Sequence, residues 1–428
     1  MEISFLGGAR EVGRSCIMVN GSILLDCGIK LGSDEKPLVE NANSIKAIFL
    51  THAHLDHSGY IPFLLQESKT KPKIYGLKPT SELSQILISD FIKLRKENKE
   101  GDSISSKSLN DFILNFKNVE FKNYKILGMD VGFFRAGHIL GSSMIKIDNT
   151  LYTGDFNLRS SRLIDGAYTN IKAENLIIET TYADQNFPSQ KEIVSNFIKS
   201  INSTLKENGK VLIPTFGVGR SQEILFILES YMRSGVLKEV PIYIEGMIAK
   251  ANRIFRHNVI YCKEEIQKRI LMSEDDPFKS KYFKRIKKKE RKKALEEACI
   301  VVSTSGMLTG GPIIDYIRLL SKDESSKILI VGYQAQGTNG RNLIEGKNKI
   351  FDKKRNEEIE IKMKVEEHHL SSHADRRQII EFIKKVKPKR VFFVHGEENK
   401  ALQIAKYFEE NEKEIEVYVP KIGEDFKV

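Results

Sequence analysis

The sequence predicts an α/β protein whose sheet-rich first part gives way to a mostly parallel, doubly wound second domain. Three observations carry this. Residues 1 to 60 are short apolar runs broken by tight glycine turns, and after Glu179 the texture becomes a regular alternation of strand and helix. Strand after strand also ends on a residue able to bind metal, at the carboxyl edge where sites in α/β sheets lie.

Taken in order, residues 2 to 6, 15 to 19, 22 to 26 and 46 to 50 read as strands. Asn20-Gly21, between the second and third, is the strongest local hairpin signal available. Asp26 closes the third run, and a strand-end aspartate by itself is more often a turn former than a functional group. The fourth run leads into Thr51-His52-Ala53-His54-Leu55-Asp56-His57, which packs three of the nine histidines of the chain and one aspartate together. Imidazole and carboxylate without thiolate favour Zn²⁺, with manganese or iron next, and such a loop past a strand suits two adjacent ions.

Residues 80 to 97 and 104 to 116 read as amphipathic helices over the sheet, and strands return at 118 to 122 and 131 to 136. The second of these ends at Gly137-His138, residues 150 to 153 run into Gly154-Asp155, and residues 175 to 178 run into Glu179. Singly, each polar residue could be a cap or a turn; together they repeat one placement.

In the second domain Ser189 and Glu192 form a capping box ahead of a helical stripe that stops near Gly209. The strand 210 to 214 meets Gly217-Val218-Gly219-Arg220-Ser221 and a helix of residues 221 to 233, and further strands lie at 240 to 244, 299 to 303 and 327 to 332. Glycine-rich turns at 303 to 312, with Ser305 and Gly306, and at 332 to 341, ending in Gly340-Arg341, accompany them. Turns of this kind expose backbone N–H groups to phosphate, which makes Gly217, Gly219, Arg220, Ser221, Ser305, Gly306, Gly340 and Arg341 the candidate phosphate contacts. Residues 284 to 293 hold eight Lys or Arg and one acid, Glu290, either a solvated face or an electrostatic arm for a polyanion. From residue 358 strands resume; Ser372-His373-Ala374-Asp375 precedes a helix of residues 375 to 386, and the strand 391 to 394 ends in His395-Gly396-Glu397. His368 and His369 read as supporting or surface residues.

At 428 residues and 40% hydrophobic content the chain can build two or three domains with real cores. Lys plus Arg outnumber Asp plus Glu by 68 to 57, a net charge of +11 that suits a polyanionic partner without choosing which. Four scattered cysteines indicate neither a disulfide framework nor a thiolate metal knot. With no secretion signal and no apolar run long enough to span a bilayer, the expectation is a cytoplasmic protein without a membrane association.

Asp26, the His-x-His-x-Asp-His cluster, His138 and Asp155, in this order, resemble the metallo-β-lactamase fold. Glu179 in Glu-Thr-Thr-Tyr, His373 in Ser-His-Ala-Asp and His395 in His-Gly-Glu resemble the three extra motifs of the β-CASP nucleases. Within them the chain is similar to short archaeal relatives of the endonuclease subunit of the cleavage and polyadenylation specificity factor, without the N-terminal KH domains of the longer archaeal forms or the extra C-terminal domain of bacterial RNase J. The resemblance implies an αββα sandwich in residues 1–179 and 351–428, interrupted by an inserted β-CASP domain at 180–350. It implies two Zn²⁺, one on His52, His54 and His138 and the other on Asp56, His57 and His395, with Asp155 shared. Asp26 would orient ligands or the attacking water, and His373, positioned by Glu179, would be the general acid.

The implied activity is hydrolysis of RNA to 5′-phosphate and 3′-hydroxyl ends in RNA processing or decay, by an endonuclease with 5′-to-3′ exonuclease action left open. The RNA would be single-stranded, in the cleft between domains, and the enzyme would act as a homodimer or within an RNA-processing complex. A histidine at position 395 goes with RNA-processing members, whereas DNA-repair members typically carry valine, which disfavours a DNA nuclease. A noncatalytic RNA-binding subunit would have lost ligands that are present here. A small-molecule metallohydrolase would leave Glu179, His373 and His395 without a purpose.

Overall fold

In the computed structural model, residues 1–33, 35–98, 104–273 and 275–428 are described. They form two compact units, Met1–Asn186 with Ser372–Val428, and Phe187–Ser371.

The first unit is built on two seven-stranded sheets. One runs in the order Glu424–Lys427, Glu2–Gly7, Cys16–Val19, Ile23–Leu25, Ala47–Phe49, Lys73–Leu77, Phe116–Val119, antiparallel as far as Ile23–Leu25 and parallel beyond it. Asn20 and Gly21 both take positive φ, 48° and 66°, as the turn between Cys16–Val19 and Ile23–Leu25 requires. The other sheet runs Glu416–Tyr418, Arg390–Val394, Asn175–Glu179, Thr150–Tyr152, Ser143–Ile147, Met129–Arg135, Asn123–Ile126.

Alternation along each strand explains the layering. Ile48 and Leu50 pack with Ile61, Leu64, Ile88 and Phe112 of the helices Ile61–Glu67, Lys78–Asn98 and Ser106–Asn115. Phe49, between them, turns the other way to Phe133 of the second sheet, ring centroids 6.0 Å apart. In the second sheet Val391 and Phe393 pack with Phe382 of Arg376–Val386 and Ile404 and Phe408 of Glu398–Asn411, while Phe392 faces Phe5 of the first sheet at 5.6 Å. Two sheets face to face with helices outside them are the αββα sandwich that the resemblance implied.

The second unit holds a six-stranded, wholly parallel sheet, Phe283–Arg285, Ile242–Glu245, Ile300–Ser303, Val211–Pro214, Lys327–Ile330, Lys364–Glu367, and a separate hairpin, Lys349–Asp352 with Glu357–Glu360. It begins and ends later than the 180–350 span expected for the insertion. Thr180 to Asn186 stays with the first unit, where Ala183 is buried in the core and Tyr182 bridges to Asp375. Residues 351–371 stay with the second, because Lys364–Glu367 adds in parallel to Lys327–Ile330 as an edge strand. Among the described residues no helix is long and apolar enough to cross a membrane.

One close approach locks the histidine loop to the first sheet. Cys27 and Ile29 donate their amides to the carbonyls of His57 and Leu55, at 2.8 and 3.0 Å. A Cβ on Gly28 would lie 1.7 Å from the Asp56 carbonyl oxygen. Gly28→Ala is therefore expected to lose about 3 kcal/mol of stability by overpacking and to weaken metal binding, read together by thermal melting and metal titration; unchanged metal affinity would show that the loop tolerates displacement.

Candidate metal centre

The residues of the centre follow the carboxyl ends of strands, but the loop expected past the fourth strand holds only His52 and His54, while Asp56 and His57 lie in a short helix, Leu55–Ser58. His52, His54, Asp56 and His57 follow Ala47–Phe49, His138 follows Met129–Arg135, Asp155 follows Thr150–Tyr152, and His395 follows Arg390–Val394. Their donor atoms converge in two sets, His52, His54, His138 and Asp155, and Asp56, His57, Asp155 and His395. Asp155 belongs to both. Its Oδ2 lies 3.4 Å from His52 Nε2 and 3.6 Å from His138 Nε2, while its Oδ1 lies 3.3 Å from His57 Nε2 and 3.3 Å from His395 Nδ1. His54 Nδ1 stands 3.1 Å from His138 Nε2, and Asp56 Oδ2 stands 3.4 Å from His395 Nε2.

These separations fit a metal ion. Ligand atoms held tetrahedrally at about 2.0–2.1 Å from one ion stand about 3.3–3.4 Å from each other. Among the described residues His52 Nε2, Asp155 Oδ1 and His395 Nε2 are buried with no hydrogen-bond partner. Orphaned lone pairs cost stability unless something binds them.

Surrounding groups decide which ring nitrogen is offered. Asp26 accepts from His57 Nδ1 at 2.6 Å, from the Thr51 amide at 2.7 Å, from Thr51 Oγ1 at 2.8 Å and from the Tyr152 hydroxyl at 3.0 Å. Thr51 Oγ1, its proton committed to Asp26, accepts from His52 Nδ1 at 3.1 Å. His138 Nδ1 donates to the Ser372 carbonyl at 3.0 Å. In all three rings Nε2 is left to ligate.

Charge follows the same layout. Burial, and then the neighbouring His57, push His52 well below the usual histidine range, and burial with His373 does the same to His138, so both favour the neutral ligand form. Burial opposes the charges on Asp155 and Asp56, yet the histidines around them outweigh it and keep both ionised. On His57 burial is likewise outweighed, by Asp155 and Asp26, and the pKa is raised.

Beside the shared aspartate lies a third group, Asp155, Glu179 and His373. His373 Nδ1 is 2.9 and 3.1 Å from the two Glu179 oxygens and 3.9 Å from Asp155 Oδ2. Burial lowers its pKa, but Glu179 and Asp155 raise it further, to about 9. Glu179 is itself fixed by the Phe156 amide at 2.9 Å and by the Thr181 hydroxyl at 2.6 Å.

Thr51, Tyr152 and Thr181 escaped the sequence reading; the available signals were that Thr51 directly precedes His52 and that Thr181 follows Glu179 by two residues. With its proton on Glu179, Thr181 Oγ1 accepts from His395 Nδ1 at 3.3 Å, joining the histidine–glutamate pair to a metal-facing ring. Thr181→Val is expected to lower metal affinity or activity about 10- to 100-fold, with Thr181→Ser close to the parent. Equal losses in both variants would return Thr181 to a packing role.

The glycine turns of the second unit are engaged internally. The Gly219 amide donates to Gln222 Oε1 at 2.7 Å, and the buried Ser221 hydroxyl donates to the Gly217 carbonyl at 3.1 Å. Ser305 Oγ accepts from the Thr309 amide at 3.0 Å, and a Cβ on Gly306 would meet the Phe216 amide nitrogen at 2.9 Å. Gly340 packs on Gln334, and Arg341, one residue on, pairs with Glu345 at 2.7 Å. Arg220 opens the helix Arg220–Arg233. His368 packs on Phe197 and His369 stacks on Phe187, both within the second unit.

Comparison with known proteins finds three matching stretches, the last of which begins inside the second unit. Residues 18–182 match the metallo-beta-lactamase superfamily domain, residues 221–343 the Beta-Casp domain, and residues 358–420 the Zn-dependent metallo-hydrolase RNA specificity domain. The chain is 38% identical over 422 residues to the RNase J-like protein of Methanocaldococcus jannaschii, covering 94% of each. It is 36% identical over 436 residues to the transcription termination factor FttA of the same organism, covering 95% of this chain and 68% of that one. A crystal structure of a protein of unknown function from Enterococcus faecalis shares the fold, with a TM-score of 0.57 over 99% of both chains at 15% identity. From its motifs, its centre and these relatives together, the chain belongs to the β-CASP family of metallo-β-lactamase-fold, metal-dependent ribonucleases.

Proposed function

We propose that this ribonuclease holds two zinc ions and hydrolyses single-stranded RNA to 5′-phosphate and 3′-hydroxyl ends, chiefly as an endonuclease. The observation that carries the reading is Asp155, whose two oxygens face two separate histidine sets while His373 and Glu179 stand beside it. Zinc suits a donor set of imidazole and carboxylate with near-tetrahedral spacing. A relative named as RNase J-like and others named as transcription termination factors support RNA as the substrate.

His52, His54, His138 and Asp155 would hold one ion, and Asp56, His57, His395 and Asp155 the other. When bound, such a pair supplies a water acidic enough to act near neutral pH and positive charge opposite the scissile phosphate. Asp26 keeps the Nδ1 proton of His57 in place, so that Nε2 stays a ligand. Glu179 does the same for His373 and leaves its Nε2 as the proton donor. Water attacks phosphorus in line, the bond to the 3′ oxygen breaks, and that oxygen takes the proton from His373 Nε2. No group needs the ribose 2′-hydroxyl.

The test is RNA labelled internally and at each end, incubated with the purified protein plus zinc or plus chelator. Internal fragments with zinc and none with chelator support the reading. Mononucleotides released only from 5′-phosphorylated ends would make the enzyme an exonuclease, and intact RNA in every tube would overturn the function.

A further inference from the structure

The basic run at 284–293 is fixed to the second unit by one of its own members. Arg291 is buried, with 6% of its surface exposed, and its guanidinium bonds Glu245, with Nε 2.9 Å from Oε2, and also Asp315. The same Glu245 oxygen accepts from the Tyr316 hydroxyl at 2.8 Å, and the guanidinium lies over that ring at 5.4 Å. One cation is thereby converted into an anchor. Every other Lys and Arg of 284–293 is exposed, and none forms an ion pair among the described residues. Glu290, the acid inside the run, accepts from the Lys287 amide and closes the turn.

A second set of cations leaves the same end of the sheet. Ile242–Glu245 and Phe283–Arg285 are parallel neighbours, so the chain leaves both strands at one edge. After the first comes the helix Ile248–His257, with Lys250 and Arg253 exposed at a spacing that puts them on one face and unpaired among the described residues. The glycine loops adjoin this edge: a Cβ on Gly246 would meet Thr304 Oγ1 at 2.3 Å, and one on Gly217 would meet Met247 Cγ at 2.2 Å.

Protecting an edge strand from aggregation would account for Lys284 and Arg285, but not for the lysines beyond the strand's end. Lysine-rich, unpaired and held on a rigid base, the surface suits the evenly spaced charges of a nucleic-acid backbone. We infer that this basic edge of the β-CASP unit is a sequence-independent binding surface for the phosphates of single-stranded RNA. The inference rests on RNA being the substrate.

The experiment replaces Lys287, Lys288, Lys289, Lys292 and Lys293 by Gln and leaves Arg291 in place. Anisotropy then tracks binding of a hydrolysis-resistant phosphorothioate RNA of about 30 nucleotides, long enough to cover several sites of 4–16 nucleotides, across a series of salt concentrations. Parent and variant are also assayed for cleavage of ordinary RNA and of bis(p-nitrophenyl) phosphate. The expected result is a salt slope flatter by about 0.7 for each phosphate contact removed, or about 2 if three of the five lysines make one. Turnover of the small diester should be unchanged, which confirms that the variant is folded. Superimposable slopes overturn the inference while leaving the ribonuclease intact. Superimposable slopes with lost affinity for polyglutamate overturn it in favour of an acidic protein partner. A parent that cleaves and binds no RNA fails earlier, at the functional reading, and takes the surface with it.

Discussion

Asp155→Asn is expected to reduce kcat by on the order of 10³-fold or more, since the metals' contribution to charge stabilisation is several kcal/mol. Metal content should fall at the same time. The side chain divides its two oxygens between two histidine sets, Oδ2 at 3.4 Å from His52 and Oδ1 at 3.3 Å from His57. Asparagine keeps the shape but turns one oxygen into an NH₂ group with no lone pair to give, and it removes the charge that both sets share. One set therefore loses a ligand outright, whichever way the amide turns. Elemental analysis of the purified variant, with calorimetric titration of zinc into the metal-free form, reads this directly. A variant that still takes up metal as the parent does would remove Asp155 from its shared position.

His373→Gln is the complementary case. It should retain metal, because His373 is in neither of the two four-membered sets, and lose about 10² to 10⁴ in kcat on RNA, the usual worth of a positioned acid. The loss should nearly vanish on bis(p-nitrophenyl) phosphate, whose nitrophenolate leaves without a proton. That contrast separates proton donation from a general disturbance of the site. Equal losses on both substrates would sink the assignment, and loss of metal would make His373 a ligand.

Much of the site was legible because its chemistry is concentrated in short stretches. His52, His54, Asp56 and His57 advertise themselves within one short stretch, and His138, Asp155 and His395 each sit just past a run with a strand-like pattern. What was not legible is non-local. The run Lys364-Val365-Glu366-Glu367 could be read as a strand, but not as an edge of the second unit's sheet, since register and partner are set by residues far away. Arg291 looked like its lysine neighbours until Glu245 and Asp315, distant in sequence, were found around it. Gly340 read as a phosphate-holding glycine, and its close packing is against Gln334, since a sequence shows that a Cβ is missing and not which neighbour excludes it.

The first unit is discontinuous, and this bears on the order in which a ribosome delivers the enzyme. Phe187–Ser371 is one uninterrupted stretch, whereas the central strand Asn175–Glu179 waits for Arg390–Val394, its neighbour on one side, to be synthesised. Domains fold as units while the chain emerges, and such distant pairings form late. A nascent chain stalled before residue 372 already carries His52, His54, His138 and Asp155, one complete metal set, but neither His373 nor His395. The second metal set and the proton donor are therefore completed only in the last stretch of synthesis.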